Sequence, residues 1–532
     1  MKRYFNINSG VSILFVLCLI MPLIVSFVQK DVEISTSEKR KLAKFPEISS
    51  SSESLSKFPD EFEAYYDDHF GFRSRIVRLH NYTLSKVFGV SPSSMVVIGS
   101  DNWYFLNADG SISDFIGRFP YSNITLETFS RLLQDRKEWL NSMGSQYIFM
   151  PVPNKETVYP EKLPLRIRKN RGATKYDQIL GYLKNDMQFL GYIDTQDVLL
   201  DRKKQARVFL QTDSHWNHEG TYQVYLELMN RLQRWLPDLV PLKQKEEQNW
   251  IEKFSGDLAI LMNLKGLITE TAPNINIVKE CKPIKPRIMA ELKEIPHYSD
   301  MAGHRLPVIS GCVEKKHKAI FIHDSFGKFL RPYLSQHFKE IIFINYMNFE
   351  KAKRLIETVK PDIVIDQRAA RNIQRALRPD PELEQMILRN RFTGLSEEIV
   401  SRDGSEILSS VMKKENVAVK GLKSSMDLEF KKKKSRILFK SDYPFTHSEP
   451  AVIRIDVDSR QNATMRFCYT PETPNLHAQS QCSKREVEKG NNQIFLRVVK
   501  PEKHGSLEMT AEHPGSYVLN NVVVRREVSS ET

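Results

Sequence analysis

Four short runs, Tyr147-Ile148-Phe149-Met150, Ala319-Ile320-Phe321-Ile322, Ile341-Ile342-Phe343-Ile344 and Asp362-Ile363-Val364-Ile365, constrain the fold more than any other feature of this chain. Each is short and almost continuously apolar, without the alternation of a strand that keeps one face wet. Such runs, separated by helical stretches, are what a parallel sheet covered on both faces requires. One helical stretch, Thr125 to Met143, carries Phe129, Leu132, Leu133, Trp139 and Leu140 at helical spacing and stops at Gly144. The expected core is an α/β, doubly wound parallel sheet. In that architecture ligands bind beyond the carboxyl ends of the strands. Asn154-Lys155, Ser325, Asn345-Tyr346 and Gln367-Arg368 all fall just past the runs.

With 532 residues the chain exceeds one compact domain. Residues 1–30 read as a membrane or signal anchor, 31–100 as a spacer and helical lead-in, and 101–395 as the α/β domain. After about residue 400 short alternating segments replace the long runs, so 420–530 is expected to be a β-rich, sandwich-like accessory domain. It carries the basic run Lys431 to Lys434, a solvated edge or a contact for glycan or membrane. The formal net charge of +13 favours acidic partners such as anionic glycans or phospholipid head groups. No zinc-finger spacing or RNA-binding signature accompanies it, which argues against nucleic acid.

Lys2 and Arg3 precede an uncharged, mostly apolar stretch from Val11 to Val28, close to the minimum for spanning a bilayer. An uncleaved anchor with the body outside is the expectation, and a cleaved signal peptide is the alternative. Lys39, Arg40, Lys41 and Lys44 follow the span, so flanking charge does not decide its orientation. Cys18 lies in that stretch; Cys281, Cys312, Cys468 and Cys482 form two locally spaced pairs that suit disulfides in an oxidising compartment. A Cys281–Cys312 bridge would contribute roughly 3–4 kcal/mol in the chain-entropy account. Four buried thiols are the other reading. CxxC pairs and Cys/His clusters are absent from the sequence, so no metal site is expected.

The chemistry concentrates in Thr212-Asp213-Ser214-His215-Trp216 and His323-Asp324-Ser325-Phe326-Gly327. A serine needs a base to take its proton and a third group to orient that base. Ser325, His215 and Asp213 supply nucleophile, base and orienting carboxylate, which points to acyl transfer or ester hydrolysis. Each has a structural alternative. Ser325 or Asp213 would cap a helix, His215 would pack beside Trp216, and His218 or His323 would serve as base instead.

The order of these blocks carries a resemblance. Pro-Val-Pro-Asn-Lys (151 to 155) and the Asp213/His215 block precede the Ser325 block, and Pro361-Asp362-Ile363-Val364-Ile365 follows it. Glu38 to Pro46, Asp68 to Arg73, Tyr159 to Pro164 and Gly256-Asp257-Leu258 fit the same pattern. It resembles a circularly permuted SGNH hydrolase, as in the alginate O-acetyltransferases and their exopolysaccharide-modifying relatives.

The resemblance implies an acetyl-enzyme on Ser325, a polysaccharide acceptor and a membrane-bound acyltransferase as acetyl donor; the anchor and cysteine use agree with a periplasmic or extracytoplasmic body, and the lack of a metal or nucleotide motif is consistent with no cofactor. His323 stands where the family has Gly, no glycine is evident near Tyr346, and Asp366-Gln367-Arg368 replaces a Gly-x-Asn-Asp block. Backbone N–H groups near Ser325 are therefore the first candidates for an oxyanion hole, with Tyr346, Gln367 and Arg368 as candidate side-chain donors, while Asn154 and Lys155 either turn the chain or contact substrate. An acetylesterase, and a non-catalytic polysaccharide-binding or assembly protein, are the rival readings.

Overall fold

The computed structural model describes all residues except 1–6, 29–32, 36–39, 48–51, 186–190, 290–305, 346–348, 374–376, 378–379, 396–397, 443–450, 472–480, 499–503 and 527–532. The runs form a six-stranded sheet in the order Gln146–Val152, Ile363–Ala369, Lys318–His323, Glu340–Asn345, Val308–Ser310 and Arg287–Ile288. The first four strands are parallel, with Ile320 opposite both Ile342 and Val364, and Ile365 opposite Ile148. The last two add antiparallel to the edge.

Alternation along each strand sends side chains to two separate cores. Ile148, Phe321, Phe343 and Ile365 pack on one face with Val224, Tyr225 and Leu228 of the helix His218–Leu232. Ile320, Ile322, Ile342 and Val364 pack on the other with Leu133 and Leu140 of Asn123–Ser142 and Leu355 and Ile356 of Phe349–Val359. Both faces are covered, as the continuous apolar runs require. Each fully buried Ile or Phe contributes roughly 1.5–3 kcal/mol of transfer free energy, so the sheet interior dominates this region's stability.

Ahead of it, Ser52–His69 and Arg73–Lys86 form the helical lead-in, broken where Phe72 takes a left-handed conformation (φ 66°). Ile7–Val28 is a 22-residue helix with Pro22 inside it, and Val11, Leu14 and Phe15 on it are exposed. Among the described residues no helix is long and apolar enough to cross a membrane. The spanning helix expected over residues 1–30 is thus not supported.

The C-terminal region is two antiparallel sheets face to face. One has the order Val417–Gly421, Met426–Phe430, Gly515–Arg526, Ala451–Ser459, Gly490–Val498; the other has Val411–Glu415, Ser435–Asp442, His504–Ala511, Ala463–Pro471, Gln481–Val487. Their inner faces share one core that includes Phe430, Ile453, Phe467 and Met509. Glu398–Asp403 also pairs with Gly515–Arg526, so the sheet-rich region starts ahead of residue 420. It docks on the α/β domain through the helix Pro381–Gly394: Gln385 brackets the Phe495 backbone at 2.6 and 2.8 Å, and Leu388 and Phe392 pack against Val452, Phe495 and Val523. Arg497 of the sandwich reaches Asp135 of Asn123–Ser142 at 3.1 Å.

Candidate active site

The nucleophile block follows the strand Lys318–His323, where the chain turns into the short helix Phe326–Phe329. The turn is tight: a Cβ on Gly327 would lie 2.4 Å from His323 Cβ and 2.8 Å from Gln367 Oε1, so only glycine fits. Asp324 is fully buried and organises the turn. Its Oδ1 accepts from Phe326 N–H (3.1 Å) and Gln367 Nε2 (3.1 Å), and its Oδ2 from Ala369 N–H (2.6 Å) and Asn372 Nδ2 (2.9 Å). Burial alone would raise its carboxyl, but the Asn372 and Ala369 hydrogen bonds outweigh that and hold it below the usual range. Ser325 makes no helix-capping bond. Its Oγ points instead to His215.

His215 lies in a turn closed by Leu210 N–H to His215 C=O (3.2 Å), just before the helix His218–Leu232. Asn217 caps that helix by accepting from Gly220 N–H, which leaves Asp213 free of the task. Nδ1 of His215 donates to Asp213 Oδ1 at 2.6 Å, and Nε2 accepts from Ser325 Oγ at 2.7 Å. The imidazole is wedged against Phe326 (4.8 Å between centroids) and Phe329 (5.8 Å). Trp216 donates its indole N–H to Phe326 C=O at 3.2 Å, tying the base turn to the nucleophile turn. Burial works to raise the Asp213 carboxyl, but the hydrogen bond and charge of His215 prevail and the net displacement is downward.

The other two histidines are placed for other tasks. His323 is fully buried with both ring nitrogens engaged: Nδ1 donates to Asp324 C=O (2.6 Å) and Nε2 accepts from Arg331 (2.9 Å). Burial and the Arg331 charge pull it down to about 3, so it is neutral. His218 packs against Phe329 and Tyr333, and burial pulls it down to about 4.

The expected oxyanion and substrate side chains need correction. Ile363–Ala369 continues as a strand through Gln367 and Arg368, so both lie inside the sheet. Gln367 is spent on Asp324, and Arg368 Nε donates to Asp366 at 2.7 Å. Asp366, with no exposure, also takes Arg136 at 3.1 Å and the Tyr147 hydroxyl at 3.2 Å, which is why a polar run can extend a buried strand. Asn154 is 2% exposed at the start of the four-residue helix Lys155–Val158, away from any open surface. Tyr346 lies outside the described residues.

Lys155 is buried beneath the base turn. Its ammonium donates to three carbonyls, of Tyr104 (2.6 Å), Gln211 (2.9 Å) and Asp213 (2.8 Å), and sits 5.2 Å from the Trp103 ring centroid. Burial pulls it down to about 7 against the opposing charges of Glu270, Asp213 and Asp257.

Sequence reading gave no role to Glu270, Asp257 or Asp324. Glu270 accepts from Thr212 N–H and Oγ1 (both 2.7 Å) and Gln211 N–H (2.9 Å). Asp257 accepts from Ser214 N–H (2.7 Å) and Oγ (2.6 Å), while its own N–H donates to Asp213 Oδ2 (2.9 Å). Gly256 permits that approach, since a Cβ there would sit 2.4 Å from Asp213 Cβ. Gly256-Asp257 left a trace in sequence as a segment of the family pattern, and Asp324 as a member of the Ser325 block. Asp213, His215 and Asp257 bring ligating atoms within 4.8 Å of one another, close enough to share a cation, though His215 and Ser214 already engage both carboxylates. The cysteines pair as Cys281–Cys312 and Cys468–Cys482, with Cα separations of 6.4 and 4.0 Å.

The sequence family described as an SGNH hydrolase-like domain of the acetyltransferase AlgX matches residues 96–290, a span that holds Asp213 and His215 but stops before Ser325. A probable alginate O-acetylase AlgJ of Pseudomonas syringae pv. tomato is 25% identical over 242 residues, covering 44% of this chain and 58% of that protein. Its namesake in Pseudomonas aeruginosa is 26% identical over 229 residues, covering 41% and 53%. The chain thus spans little more than half the length of the curated relatives it matches. Among solved structures, the O-acetyltransferase domain of Pseudomonas putida AlgJ aligns with 54% of this chain and 94% of its own at 17% identity and a TM-score of 0.34. Pseudomonas aeruginosa AlgX aligns with 81% and 94% at 12% identity and a TM-score of 0.33, scores too low to argue from. The sequence matches, not those scores, agree with the resemblance read from the sequence: residues 96–290 are similar to an SGNH hydrolase-like acetyltransferase domain.

Proposed function

We propose that this chain is an O-acetyltransferase acting on an extracytoplasmic polysaccharide through an acetyl-enzyme on Ser325. The observation that carries the proposal is the unbroken relay Asp213–His215–Ser325, with links of 2.6 and 2.7 Å. His215 Nε2 takes the Ser325 proton as Oγ attacks the acetyl carbonyl; the donor's ester bond breaks and its leaving oxygen receives that proton. A sugar hydroxyl then loses its proton to His215 and attacks the acetyl group. Ser325 Oγ departs and regains the proton, which leaves the enzyme unchanged. Asp213 holds the imidazole in the tautomer that accepts from serine and stabilises the imidazolium. Phe326 N–H and the Gly327 N–H are already taken by Asp324, so the N–H of Ser325 itself is the backbone donor assigned to the developing oxyanion.

In this reading residues 101–395 carry the chemistry and the β-rich region beyond residue 420 positions polymer. An anchor in the helix Ile7–Val28, a body outside the cytoplasm and a membrane-bound acyltransferase as donor belong to the same proposal. The test is mass spectrometry after incubation with 4-nitrophenyl acetate, followed by addition of oligosaccharide. A single acetyl group on Ser325 that moves to the sugar is the expected result. Release as acetate alone makes the protein an esterase. Labelling and turnover that persist in Ser325→Ala refute the mechanism.

A further inference from the structure

A cavity of about 160 Å³ opens beside the nucleophile turn, and six of its lining side chains carry its chemistry: Asp109, Asp114, Phe119, Tyr121, Lys175 and Arg371. Ser325 does not line it, but the Ala370-Arg371 wall is linked to both chain neighbours of Ser325. The Arg371 guanidinium lies 5.1 Å from the Phe326 ring centroid, and Asn372, the next residue, donates to Asp324 at 2.9 Å. Arg371 follows the carboxyl end of the strand Ile363–Ala369, on the side of the sheet where ligands collect. The wall is built rather than loose. Asp114 Oδ1 accepts from Lys175 N–H at 2.9 Å, Tyr121 N–H donates to Gln178 at 3.0 Å, and the Lys175 ammonium sits 5.2 Å from the Tyr121 ring centroid.

We infer that this cavity is the acceptor subsite and that it takes one ring of a neutral, hydroxyl-rich sugar. The inference rests on the acyl-transfer reading of Ser325. Its volume is well below the ~300–1,000 Å³ of pockets for drug-sized ligands, which suits a single ring. Its lining pairs two carboxylates, which accept from vicinal hydroxyls, with two cations, which donate to ring and hydroxyl oxygens. Phe119, 62% exposed, offers a flat face to sugar C–H groups. The two formal charges of each sign cancel, and a uronate carboxylate would face Asp109 and Asp114 as well as the cations. The lining residues thus give a polyanionic acceptor no excess of positive charge; Arg118, outside the lining, sits 5.9 Å from the Phe119 ring centroid.

The test is titration of full-length Ser325→Ala protein with neutral hexaoses of gluco, manno and galacto configuration and with a hexamannuronate. At least one neutral hexaose should bind about tenfold or more tighter than the uronate. Phe119→Ala and Arg371→Gln should each weaken that binding about fivefold. Asp109→Asn, an exposed change that does not threaten folding, should raise uronate affinity about threefold. Binding of the uronate as tight as any neutral hexaose overturns the inference, as does binding unaffected by Phe119→Ala and Arg371→Gln, or no binding of any neutral hexaose. Because binding is read without turnover, a failure of Ser325 chemistry would refute the proposed function and leave this result standing on its own.

Discussion

Replacing Lys155 by methionine should cripple the proposed acetyl transfer far more than it unfolds the protein. The substitution keeps the aliphatic stem and removes an ammonium that bonds three carbonyls at 2.6, 2.9 and 2.8 Å. Burial lowers that ammonium from 10.5 to about 7, so holding its charge in the fold costs roughly 5 kcal/mol at 1.36 kcal/mol per unit. Removing it relieves this cost but strands three buried acceptors at about 1–3 kcal/mol each. The two effects are of similar size and opposite sign, so stability should change by only a few kcal/mol. Position is another matter. Two of the three carbonyls belong to Gln211 and Asp213, so the turn that aims His215 loses its tether. A displacement near 1 Å at the reacting groups costs about 100-fold in rate. Lys155→Met should therefore show near-normal denaturation, kcat reduced about 100-fold and KM little changed, with no rescue in Lys155→Arg, whose planar guanidinium cannot place three donors at one point. A kcat within threefold of wild type would refute the tethering role.

Asp324→Asn should cost about 2–4 kcal/mol, because an amide N–H₂ then faces donors that now converge on a carboxylate; fluorophosphonate labelling of Ser325 at the wild-type rate would argue against this. Burial raises the Glu156 carboxyl from 4.5 to about 7, so its stability contribution is complete below pH 4.5 and is lost as pH rises through 7. Glu156→Gln should therefore be roughly 3 kcal/mol more stable relative to wild type at pH 8 than at pH 4.5, and parallel stability curves across that window would refute the assignment. Replacing Cys468 and Cys482 by serine opens a bridge of sequence separation 14 and should destabilise the sandwich by about 3 kcal/mol, read as a lower melting transition for that region. An unshifted transition would count against it.

The parallel strands and the relay were legible because their signals are local. A continuous apolar run encodes burial on both faces, and an Asp two residues before a His already states which carboxylate can reach which ring. Gln367 and Arg368 were misplaced because polarity ordinarily marks a strand's end, and the partner that buries this run, Arg136, comes 230 residues earlier. Lys155 was read as a substrate contact because nothing in sequence distinguishes a cationic side chain in solvent from one inside a cradle of carbonyls. Asp257 and Glu270 act on the base turn from outside its segment, so spacing had no means to connect them. The cavity at Arg371 was invisible for the same reason: its walls come from residues 109 to 121, 175 and 371.

The order of strands in the sheet also dictates how the protein must assemble. The strand Gln146–Val152 gains a bridge at Tyr192 on one edge, but its ladder partner on the other is Ile363–Ala369, and the buried contact from Tyr147 to Asp366 joins residues 219 apart. An emerging chain therefore presents that strand with only the Gly191 to Ile193 segment beside it until more than two hundred further residues have been made. The base turn is likewise complete long before its serine exists. Loop closure of that length makes assembly slow and leaves an apolar edge open to wrong partners. Such a chain should depend on holding chaperones during synthesis more than a protein whose sheet closes in sequence order.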